Sequence, residues 1–222
     1  MLKGKILPPR RASRLDNLAR RQGRRVVRQR FLLLCEGEVT EREYFGDLRR
    51  ELRGSLVTID IPKERGDPLR LVQEAVRRRD EAAKLARRLG DDNERFDSVW
   101  CVCDVDEHHR LEDAVELAEK KRINMAVSNP CFELWPALHF DGCSRHMTAN
   151  SLKQLLRGNM KGYDKSLDCR KLDGLRPIAI NNAMELERLH GRNGNALNSN
   201  PSTGVWRLVE KLEKCAGSPG LR

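Results

Sequence analysis

The sequence predicts an α/β fold: a mostly parallel central sheet of about four strands flanked by helices, followed by a helical C-terminal extension. Three observations predict it. Four short apolar runs, at 31–36, 56–61, 97–106 and 123–128, read as strands. Segments of helical periodicity separate them, and parallel strands need crossovers of that length. Two of the runs end in carboxylates, which a parallel sheet gathers along one edge.

Taken in order, residues 1–30 form a basic N-terminal arm. Within it "PPRRASRLDNLARRQGRRVVRQR" (8–30) carries nine Arg against one Asp. Such a block reads either as a solvated leader or as a phosphate clamp. Residues 31–222 read as one domain, with the helical extension starting near 141. "FLLLCE" is the first strand. Thr40 to Arg53 reads as a helix, with Thr40 as N-cap and Glu43 completing a capping box. "LVTIDI" (56–61) is β-branched and strand-like. A long helix runs from Pro68 to Leu89, with Asp67 as its cap and Pro68 in its first turn.

"DSVWCVCDVD" (97–106) contains the third strand, Leu111 to Lys121 a helix, and "INMAVS" (123–128) the fourth strand. A further helix is expected in "NPCFELWPALHF", capped by Ser128 and Asn129, with Pro136 kinking it. Beyond it, "TANSLKQLLRG", "NAMELERLH" and "VWRLVEKLEK" read as helices, and "NGNALNSNPSTG" as a loop. Asn200 and Thr203 are expected to cap the last helix. Trp100, Trp135 and Trp206 read as core.

Composition narrows the function classes. No run approaches the roughly 20 apolar residues of a membrane span, and the opening residues lack the apolar middle of a secretory signal. A cytoplasmic protein without membrane contact is expected. The 222 residues carry a net charge of +10, which favours a polyanionic partner, most simply nucleic acid. Arg24, Arg25 and Arg28 in the arm, and Arg77 and Arg78 in the long helix, are candidate phosphate contacts. The seven Cys fit no disulfide framework. Cys35, Cys101 and Cys103 sit in apolar runs as small core residues. A zinc site from Cys101, Cys103, His108 and His109 lacks any C-x-x-C pair and is not expected.

The chemistry centres on Glu36, Asp104 and Asp106. Glu36 closes the first strand and Gly37 follows it, leaving a tight turn open to close approach. Asp104 and Asp106, two apart on extended chain, point the same way. A D-x-D alone is common on solvated loops; paired with E-G at the end of another buried strand it is more specific. Three carboxylates meeting at one edge repel unless some are protonated or a cation sits among them. An all-oxygen donor set suits Mg2+ or Mn2+.

Glu133, at the start of a helix, is favoured there by the helix dipole and also starts near this edge. Glu41 is a helix-surface residue close to Glu36. His108 and His109 are either exposed loop residues or general acids near neutral pH. Lys161 and Lys165 are further candidate phosphate contacts.

"LLLCEGEVTEREYF", "RGDPLRLVQEA", "VWCVCDVDEH", "AVSNPCFELWPALHF" and "NPST" together resemble the RloB-like family, to which a Toprim-like fold is assigned. The resemblance covers nearly the whole chain after the arm. It implies a Mg2+-dependent nuclease of phage defence acting on RNA, including tRNA, or on DNA. It implies Glu36 as general acid/base or metal ligand, and Asp104 and Asp106 as metal ligands. It admits an AAA-type ATPase partner and a homo-oligomer. Pro136, where the family continues with apolar helix formers, is a departure. The alternative reading is a non-catalytic nucleic-acid-binding or ATPase-partner module of the same shape, since fold alone does not determine function.

Overall fold

The structure is a computed structural model and describes residues 28–63, 66–105, 110–164, 166–191 and 199–217. Its centre is a five-stranded sheet in the order β2-β1-β3-β4-β5. The strands are β1 (Gln29–Cys35), β2 (Val57–Asp60), β3 (Ser98–Asp104), β4 (Asn124–Asn129) and β5 (Ser202–Thr203). The first four are parallel, and β5 pairs with β4 antiparallel. Helices α1 (Thr40–Glu51), α2 (Pro68–Leu89), α3 (Leu111–Lys121), α4 (Leu134–Ala137), α5 (Ala149–Asn159), α6 (Arg176–His190) and α7 (Val205–Gly217) flank it. The layout is mixed α/β and consistent with a Toprim-like arrangement, with a helical C-terminal portion.

The period of two in the strands builds two cores. Phe31, Leu33 and Cys35 pack with Trp100 and Val102 against α1 and α4–α7. Leu32 and Leu34 pack with Val99, Cys101 and Cys103 against α2 and α3. Phe31, Leu32, Leu33 and Leu34 are essentially inaccessible, each worth about 1.5–3 kcal/mol of apolar burial. The expectation that Cys35, Cys101 and Cys103 are core residues holds, since all three are buried.

The chain moves from β1 to β2 on one side, then crosses back to β3 and β4 on the other. The β1/β3 boundary is therefore the point where strand order reverses. Above such a point the connecting loops diverge and leave a crevice at the carboxyl ends of the strands.

Local chemistry explains where the elements end. Asp67 caps α2 as expected, accepting from the amides of Leu69 (3.1 Å) and Arg70 (3.2 Å). Gly90 closes it in the left-handed conformation, φ 63°. Thr148 and Ser151 form a reciprocal capping box on α5. Thr203 Oγ1 accepts from the Val205 amide (3.2 Å) and so caps α7. Asn200 is structural as well, exchanging two hydrogen bonds of 2.9 Å with the Met147 backbone.

Four expectations are corrected. Thr40 does not cap α1: Val39 occupies the cap position without a side-chain bond. Glu43 instead reaches the Leu167 amide (2.5 Å) and the Ser166 hydroxyl (3.2 Å), so a distant loop outcompetes the local box. Ser128 and Asn129 belong to β4 rather than capping a helix, and Ser128 Oγ meets Thr203 Oγ1 at 2.9 Å. The helix after them is only Leu134–Ala137, so Pro136 sits in a first turn, where a missing N–H costs little. The helix at 182–190 begins earlier, at Arg176, with a proline in its first turn.

Candidate active site

Parallel pairing sets the site. The amide of Glu36, one residue beyond β1, still donates to the Val102 carbonyl (3.0 Å). The Asp104 amide, next along the ladder, donates to the Glu36 carboxylate (Oε2, 3.2 Å). Glu36 and Asp104 thus adjoin at the strand-order reversal, at the carboxyl rim of the sheet.

Asp104 is the last residue of β3 and in step with Trp100 and Val102, so it faces the α1 side. There it meets further carboxylates. Burial is the largest cause raising its carboxyl well above the usual range, followed by Glu41, with Glu133 and Glu36 adding; a hydrogen bond from the Phe132 amide opposes them. Its Oδ1 is buried and has no hydrogen-bond partner among the described residues.

Glu41, in the first turn of α1, is 6% exposed and so is not the helix-surface residue that the sequence suggests. Burial raises its carboxyl most, Glu133 and Glu36 raise it further, and its own amide and that of Gly37 pull it back. A Cβ at Gly37 would overlap the Glu41 carboxylate, so a larger residue here would have to displace that side chain. Glu133 accepts from the Tyr163 hydroxyl (Oε1, 3.4 Å). Cys131 lies beside it, its thiol pushed up by burial first and then by Glu133.

These groups open into a cavity of about 380 Å3 lined by Glu38, Glu41, Asp104, Cys131, Glu133 and Lys153. Glu36 adjoins the cavity through the Asp104 amide and is not itself a lining residue. Among the described residues, no three His, Cys, Asp or Glu side chains have the spacing of a metal cluster. What does fit a hard divalent cation is the donor chemistry: an orphaned carboxylate oxygen on Asp104 with Glu36, Glu41 and Glu133 as neighbours.

Asp106, His108, His109, Lys165, Arg24 and Arg25 lie outside the described residues. Arg28 is exposed and enters β1 at its start, about 25 Å along the strand from Glu36 at 3.3 Å per residue. Arg77 is held on its own helix by Glu74 and Glu81, and Arg78 by Glu74. A larger cavity, about 540 Å3, lies beside Arg30 and α2, away from the rim. Lys161 is exposed.

Sequence reasoning missed Lys153, Cys131 and Tyr163 as site residues. Lys153 and Tyr163 follow the last rim strand by more than twenty residues, and no local motif ties either of them to it. Cys131 belongs to no metal-ligand or disulfide spacing, and only its fold position brings it to the cavity.

No curated protein and no solved structure matches the chain. The family model described as RloB-like protein matches residues 31–212, from within β1 to within α7. The chain belongs to the RloB-like family.

Proposed function

We propose that the protein is a metal-dependent phosphodiesterase acting on nucleic acid, with Glu36, Asp104 and Asp106 as its catalytic carboxylates. The observation that carries this reading is the placement of Glu36 and Asp104 on one hydrogen bond at the switch point, beside a cavity where carboxylates outnumber cations. Like charges collected at a ligand-binding edge are costly for folding alone and suited to a cation.

Asp104 and Asp106 would hold Mg2+ or Mn2+, with Glu36 as a further ligand or as the group that accepts or delivers a proton. The bound ion would supply a lowered pKa for an attacking water and charge neutralisation on the phosphate. Glu41, packed on Gly37, sets a further carboxylate beside Asp104. Family resemblance supports a role in phage defence, in the cytoplasm, with RNA or DNA as substrate and an AAA-type ATPase as partner.

The test is incubation of the full-length chain with RNA, tRNA and DNA, with and without Mg2+ or Mn2+. Cleavage that needs the metal and falls by about a hundredfold or more in Glu36→Gln and Asp104→Asn supports the reading. Nucleic-acid binding without cleavage under every condition, a cognate ATPase included, assigns the non-catalytic module instead.

A further inference from the structure

Helix α5 is oriented by Leu152 and Leu156, both fully buried. That leaves Ala149, Lys153 and Arg157, spaced by four, on one adjoining face, successive residues about 6 Å apart along the axis. Ala149 and Lys153 line the carboxylate cavity. One turn on, Arg157 Nε donates to the Tyr163 carbonyl (3.3 Å) and its Nη2 approaches the exposed Asp164 carboxylate (3.4 Å). The Tyr163 hydroxyl returns to Glu133 in the cavity wall. A row of cations therefore starts among the carboxylates and runs outward along α5.

Lys153 differs from the arginines of α2. Among the described residues it closes no ion pair, although Glu38, Glu41, Asp104 and Glu133 line the same cavity. An ammonium that faces such a cavity without docking on a carboxylate is available to an anion. The Ala149 methyl group leaves the approach to it open. A cavity of about 380 Å3, equivalent to a cube about 7 Å on a side, is too narrow to take in a duplex, whose major groove alone is about 12 Å wide.

We propose that the Ala149–Lys153–Arg157 face of α5 guides the phosphate backbone of a single-stranded nucleic acid into the rim cavity, with Lys153 contacting the phosphate nearest the carboxylates. This rests on the phosphodiesterase reading for its class of substrate. It moves the main phosphate contact from the arm and α2 to α5.

The test measures the affinity of the full-length chain for labelled oligo-U and oligo-dT across a salt series, with Ca2+ in place of Mg2+. Lys153→Ala is expected to weaken both by about tenfold and to reduce the salt slope by about one, with Lys153→Arg restoring most of the loss. Arg157→Ala, further from the cavity, loses about threefold. Lys120→Ala, which removes an exposed charge on α3, leaves the affinity unchanged.

Affinity within twofold of wild type in Lys153→Ala overturns the proposal. So does an equal loss in Lys120→Ala, which would mean that overall charge alone is sensed. Tighter Mn2+ binding by Lys153→Ala with unaltered oligonucleotide affinity also overturns it, since Lys153 would then be a counter-ion for the carboxylates. Loss of affinity in Lys153→Ala from a protein that cleaves nothing retires the phosphodiesterase reading and leaves the α5 track standing.

Discussion

The two ends of β1 handle charge in opposite ways. At its start, Arg30 donates to Asp60 Oδ2 through Nε (3.1 Å) and Nη2 (2.7 Å), and through Nη1 to the Glu94 carbonyl (2.8 Å). Its backbone amide meets Asp97 (2.7 Å), and its guanidinium lies 4.4 Å from the centre of the Phe96 ring. The Arg30 guanidinium thus has its opposites, Asp60 and Glu94, within the chain. Six residues on, Glu36 adjoins Asp104 beside Glu41 and Glu133, and Asp104 Oδ1 has no partner among the described residues. Charges that serve the fold are neutralised inside it, whereas charges left like-signed at a cavity await something from outside.

The comparison breaks most clearly in a pair of substitutions at the carboxyl end. Asp104→Asn removes like-charge repulsion, so its melting temperature should equal or exceed that of wild type while metal-dependent cleavage falls by about a hundredfold. A destabilised Asp104→Asn would place this carboxylate among the structural charges.

His139 sharpens the comparison from within the core. It is 2% exposed; its Nδ1 lies 3.0 Å from the Trp135 carbonyl, and its Nε2 has no partner among the described residues. Burial first, with Arg176 adding, lowers its pKa from 6.5 to about 4, against backbone hydrogen bonds at Trp135 and Pro136 that raise it. The unfolded chain then binds the extra proton between pH 6.5 and about 4, so the folded state loses stability as pH falls through that window. The loss is about 3 kcal/mol and does not grow further below it. Urea titrations over this range should show that slope in wild type and a shallower one in His139→Phe; equal slopes would refute the assignment.

The smallest expected effect belongs to the amino end. Arg30→Ala strands Asp60 and Glu94, whose partner is about a quarter exposed, and should cost about 2 kcal/mol of unfolding free energy. Cleavage per folded molecule should not change. A loss of cleavage without loss of stability would show that the two ends are coupled.

How far the sequence is legible follows the range of the interactions. The four parallel strands and the long helices declare themselves because their patterns are local and periodic. Glu36 and Asp104 can be brought together on paper because parallel strands end at one edge. β5 escapes detection: two residues, Ser202 and Thr203, carry no periodicity, and their pairing depends on a contact with Ser128 75 residues away. Glu43 looks like a capping-box residue until the loop at Ser166 and Leu167 claims its carboxylate. Lys153 reaches the site only because α5 folds back beside α4. Arg77 and Arg78 read as free cations in one dimension, but the helical turn places Glu74 and Glu81 against them.

Manganese binding to the full-length chain tests the central claim most directly, read from the loss of the free-ion electron paramagnetic resonance signal. The account predicts a saturable site in wild type, weakened by about tenfold or more in Asp104→Asn and in Glu36→Gln, and unchanged in Arg30→Ala. Equal affinity in wild type and Asp104→Asn, or no binding by the folded wild-type protein, would contradict it.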